Sequence, residues 1–171
     1  MGDSYPIWIH ERARGGREVT GVQAQLALPV SVEDDSEVRA YKLALPFIPP
    51  SKNVYENWPG QWKSSVKKKW AKAIAEQAES LMMPKGIEQV GLAGTIVFAT
   101  KARRDTQNFA QALWHWVPDG LVRAGVLVDD SEGKVQIGPN WGLTFKYDLR
   151  TGIPKKKRER TLVVVTMKVP S

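Results

Sequence analysis

Two hydrophobic periods alternate along this chain, and the changes between them mark out its elements. Residues 41–47, YKLALPF, alternate apolar and polar positions, the pattern of a strand with one buried face. Pro46, Pro49 and Pro50 end it, because proline lacks the donor that a strand ladder needs. NVYENWPGQW, residues 53–62, reads as an aromatic-rich loop. From Trp62 to about Leu81 the period lengthens. Trp62, Val66, Trp70 and Ile74 recur every four residues with Ala73 beside them, which predicts a long helix stopped by Pro84 and Gly86. Lys68 and Lys72 project from its opposite side, flanked by Lys63, Lys67 and Lys69. GLAGTIVFATKA, residues 91–102, is the next strand. Asp105-Thr106-Gln107-Asn108 opens a second helix, in which Phe109, Ala112, Leu113 and Trp116 form the apolar stripe. Pro118 is expected to kink or interrupt it, and Gly125 is a natural C-cap.

VLVDD, residues 126–130, reads as a short strand closing on two aspartates. KVQIG (134–138) and GLTFKYDL (142–149) read as a further β pair. TGIPKKKRER (151–160) is a basic loop, and TLVVVTMKV (161–169) is a strong final strand. Ahead of all this, residues 5–28 suggest a β-hairpin turning at Arg14-Gly15-Gly16-Arg17. An acidic loop with Glu33, Asp34, Asp35 and Glu37 follows. The expected organisation is an N-terminal extension over 1–40 and one α/β (α+β) domain over 41–171, with a mixed β-sheet and two main helices.

Composition narrows the chemistry. A chain of 171 residues, 42% hydrophobic and 25% charged, fits one globular domain. The net charge of +7 suggests a polyanionic partner. With no cysteine, disulfides, thiol catalysis and Cys-ligated zinc are excluded. The only histidines are His10 and His115, so any metal chemistry falls to carboxylates. No apolar run approaches the roughly 20 residues of a membrane span. The first ten residues lack the features of a signal peptide, so a cytoplasmic location is expected.

Charge is laid out most suggestively between Lys101 and Asp130. Lys101, Arg103 and Arg104 lie at a strand end, Asp105 at the helix entrance, and Asp129 and Asp130 at the end of the following strand. If the two strands are neighbours, a strand–helix–strand unit brings those junctions together. Carboxylates suit a hard cation such as Mg²⁺, and arginines hold a phosphate. That combination suits metal-assisted hydrolysis of a phosphodiester. Each piece also has a local explanation. Asp105 is a standard N-cap residue that Asn108 can assist, and Asp129-Asp130-Ser131-Glu132-Gly133 is a turn composition.

Taken in order, PFIPPSKNVY, RRDTQNF and PDGLVRAGVLVDD resemble the RusA-type Holliday junction resolvases, crossover junction endodeoxyribonucleases of phages, prophages and bacteria. The resemblance covers about residues 41–169 and leaves the first 40 outside it. It implies a RusA-like fold and a homodimer that nicks four-way or branched DNA with Mg²⁺, or Mn²⁺, held by aspartates. A phage-encoded member would act in the bacterial host cytoplasm. Carried over, Asp105, Asp129 and Asp130 are the catalytic carboxylates and metal ligands. Gln107 stands where the family has a second aspartate, and offers an oxygen without charge. The family's helix lysine is also missing, with Gln111 near that point. A module that binds branched DNA without cutting is the alternative.

Lys101, Arg103 and Arg104 are expected at the scissile phosphate. Two basic groups are expected on flanking backbone: Lys63, Lys67, Lys68, Lys69 and Lys72 of the first helix, and Lys155, Lys156, Lys157 and Arg158 of the late loop. Of seven tryptophans, Trp62, Trp70 and Trp116 have core spacing. Trp58 is either a lid on the core or a platform for an unpaired base.

Overall fold

The computed structural model describes residues 37–169, so the hairpin expected over 5–28 and the acidic residues Glu33–Asp35 lie outside it. The fold is α+β, with a mixed five-stranded sheet. In chain order the elements are β1 (Glu37–Leu45), α1 (Lys52–Glu56), α2 (Gly60–Ser80), β2 (Val90–Phe98), α3 (Thr106–Arg123), β3 (Val135–Ile137), β4 (Leu143–Tyr147), α4 (Lys155–Arg158) and β5 (Arg160–Val169). β5 lies between β1 and β2 and is antiparallel to both. β3 and β4 both run parallel to β2.

One face of the sheet makes the core. Leu43 and Leu45 of β1, Leu92 and Ile96 of β2, and Val163 and Val165 of β5 pack with Trp70 and Ile74 of α2 and Leu113, Trp116 and Leu121 of α3. β1 begins at Glu37, before the alternation becomes visible at Tyr41, because residues 37–40 pair with the end of β5 while their side chains stay exposed. The strand ends at Leu45, one residue before Pro46.

The two long helices meet closely. A Cβ on Gly120 of α3 would lie 2.5 Å from Cδ1 of Ile74 on α2, so a side chain there would have to displace Ile74. Trp70 and Trp116 face each other across it with ring centroids 5.4 Å apart. The segment expected as an aromatic loop contains α1, whose flank is anchored by Tyr55 edge-on to Trp116 at 5.4 Å.

Several expectations are corrected. Trp62 is 58% exposed, not core. Strict four-residue spacing drifts about 40° per step on a helix of 3.6 residues per turn, so Trp62 stands about 120° away from Ile74. α3 runs through Pro118 as one helix, with that proline buried in the interior. It ends in a Schellman motif: Gly125 (φ 71°) donates to Val122 O at 2.9 Å, and Val126 donates to Leu121 O at 3.0 Å. VLVDD forms no strand, only a bridge between Leu127 and Ile87. β3 and β4 do not pair with each other. They follow one another along the same edge of β2, separated by a turn in which Asn140, Trp141 and Gly142 all have positive φ. The basic loop contains α4.

Candidate nucleic-acid interface

β2 ends at Phe98, and the following loop delivers the chain to the N-terminus of α3. Arg104 fixes that loop. Its guanidinium stacks on Phe98, 3.9 Å from the ring centroid, and donates to Thr100 O at 3.0 Å and Ala102 O at 3.2 Å. Asp105 is the N-cap of α3, its Oδ1 accepting the Gln107 N–H at 3.0 Å. Beside this turn opens a cleft of about 630 Å³ lined by Ser51, Arg103, Arg104, Asp105, Thr106, Asn108 and Phe109. Two motifs more than fifty residues apart, PPSKN and RRDTQN, therefore share one concavity. Arg103 is an exposed residue of its lining, Lys101 is exposed two residues upstream and outside the lining, and Gln107 is exposed on the first turn of α3.

Asp129 and Asp130 are not part of that cleft. They follow the Leu127–Ile87 bridge, just upstream of β2, where Val90 N donates to Lys134 O at 2.9 Å. Asp129 Oδ1 accepts the Ser131 N–H at 2.9 Å, and its hydrogen bonding to Ser131 holds this carboxyl below the usual aspartate range. Asp130 is exposed. α3 spans 18 residues, about 27 Å at the helical rise. Asp105 lies at one end of it and the aspartate pair beyond the other. The segment expected as a strand over 126–130 makes a single bridge and does not carry its aspartates toward the far end of β2. Among the described residues, no group of three acidic or histidine side chains is positioned to hold a metal ion. One chain therefore does not gather Asp105, Asp129 and Asp130 around a cation.

The basic residues divide into two sets. Arg158 donates to three carbonyls, Ala99 O at 2.9 Å, Asp148 O at 2.8 Å and Ile153 O at 3.0 Å, and so ties together the segments that follow β2 and β4. Lys67 is paired with Asp119 across the α2–α3 contact, both half-buried. Lys63 donates to Glu56 O at 3.2 Å and lies over Tyr55. These are structural positions. Lys68, Lys69, Lys72, Lys155, Lys156 and Lys157 are exposed. Lys72 and Lys155 make i,i+4 pairs with Glu76 and Glu159, which at an exposed surface hold the lysines only weakly.

Sequence reasoning missed Asp148. This carboxylate, 8% exposed, takes hydrogen bonds from Arg150 (2.6 and 2.8 Å) and Arg160 (3.2 Å). The Arg150 bond foremost, and Arg160 with it, drive its pKa far below the ordinary carboxylate range. Its only sequence signal was an Asp-x-Arg triplet at a strand end, which is too common to single out.

The chain matches no model of a known protein family. No curated protein matches it significantly either.

Proposed function

We propose that the chain is a structure-selective endonuclease for four-way or branched DNA that works as a homodimer. The observation that supports this reading best is the cleft shared by Ser51, Arg103, Asp105 and Asn108. It sets guanidinium, hydroxyl and amide donors beside a carboxylate at a helix N-terminus, a surroundings suited to a phosphodiester. The rest of the acidic set lies at the other end of α3, so in this reading a complete carboxylate site is built from two copies. Asp105 of one subunit would stand opposite Asp129 and Asp130 of the other, and two-fold symmetry would then create two such sites. When bound there, Mg²⁺ would supply a Lewis acid and an activated water. This chain's own part is to position the backbone with Arg103 and Lys101 and to hold Asp105 rigidly as the helix cap.

A second reading has its own support. Asp105 and Asp129 both bond to local backbone N–H groups, and Gln107 brings no charge. A protein that grips branched DNA without cutting it fits those facts. A gel assay on a synthetic four-way junction with Mg²⁺ or Mn²⁺ separates the two. Paired nicks are expected for the endonuclease, while a shifted, uncut junction under both metals would overturn it in favour of the binding module.

A further inference from the structure

Trp62 is a large side chain whose placement the core does not explain. Burying an indole is among the most favourable steps open to a folding chain, yet this one is left 58% exposed on the first turn of α2. Trp62, Ser65, Lys69 and Lys72 recur at alternating steps of three and four along α2, all exposed, with Lys68 beside them. They form a single stripe about 15 Å long, aromatic at one end and cationic along the rest. The stripe is tied to the segment that leads to the cleft: the Lys69 ammonium lies 5.0 Å from the centroid of the Phe47 ring, four residues before Ser51, which lines the cleft. Trp58, by contrast, is half-buried against the core and 6.1 Å from Tyr55, so it is the lid and not the platform.

We infer that this stripe is a single-strand subsite, in which Trp62 stacks on an unpaired base at the branch point while Lys68, Lys69 and Lys72 follow the adjoining phosphates. The occupant is nucleic acid because the face combines an exposed π surface with cations, the two components of sequence-independent single-strand binding. The inference rests on the proposed branched-DNA function and adds to it the part of the substrate that is recognised.

The test is fluorescence anisotropy of the full chain with a labelled single strand, a four-way junction and a paired duplex. Trp62→Ala is expected to weaken single-strand binding about tenfold or more and to lower the junction-to-duplex affinity ratio. Trp62→Phe should restore most of the loss. Lys68→Ala with Lys72→Ala should reduce the salt dependence on single strands by about 0.7 in slope per lysine. If the parent nicks junctions but Trp62→Ala binds single strands as tightly as the parent, this subsite is refuted and the endonuclease reading stands. If the parent binds none of the three probes, the proposed function fails and takes the subsite with it.

Discussion

The Asp105 side chain already has a structural duty as the cap of α3, and two substitutions separate that duty from any catalytic one. Asparagine caps a helix about as well as aspartate, whereas alanine costs about 1 kcal/mol. Asp105→Asn is therefore expected to keep the parent's denaturation midpoint and lose junction nicking, while Asp105→Ala loses both stability and nicking. An Asp105→Asn protein that nicks like the parent would leave the residue with its capping role alone. Asp148 is a second test at this scale. Its folded acidity is raised by Arg150 and Arg160, so it contributes stability above the unfolded aspartate pKa of about 3.9, and that contribution is lost as pH falls below it. Asp148→Asn should be less stable than the parent at neutral pH, and the gap should close progressively on acidification below about pH 4. Urea unfolding of both proteins across that range measures it.

Among the elements, the α2–α3 contact carries the clearest consequence. Gly120→Ala forces a methyl group against Ile74 in a filled interior and is expected to destabilise the fold by roughly 1–3 kcal/mol, read from chemical denaturation. The same contact shows what a motif can conceal. In PDGLVRAGVLVDD, Asp119 pairs with Lys67, Gly120 lets the helices meet, Leu121 enters the core and Gly125 makes the Schellman turn. Much of a stretch that resembles a nuclease signature thus has a packing role. The long helices and the sheet strands were legible because their apolar stripes repeat over several turns or alternations. Three features were not. β3 and β4 look alike as a pair in sequence, but register is decided by β2, which binds both along one edge. α1 is too short for a period to emerge. Pro118 breaks an isolated helix, whereas tertiary burial keeps this one continuous.

For the whole molecule, the sequence conveyed the ingredients of a site but not the distance between them. Charges at Lys101–Asp105 and at Asp129–Asp130 are close in sequence order of elements, yet α3 separates them, because a helix that follows a strand returns the chain to that strand's starting end. Only a following strand running the full length of β2 would bring its aspartates back, and the pairing ends at Leu127. The cleft that unites Ser51 with Arg103 and Asp105 was equally hidden, since nothing local links residues so far apart in the chain. Of the expected DNA contacts, Arg104 and Arg158 are engaged with backbone carbonyls, whereas Lys101, Arg103 and lysines of α2 and α4 are exposed, as the proposed contact with phosphate would need.

The proposed sharing of each site between two copies has a direct measurement in subunit mixing. Asp105→Asn and Asp130→Asn proteins are each assayed for nicking of a four-way junction with Mg²⁺, then co-refolded in equal amounts and assayed again. Each alone is expected to be inactive, and the mixture to recover about a quarter of the parent rate, since half the dimers carry one intact site of two. A mixture as inactive as its components would contradict a shared site.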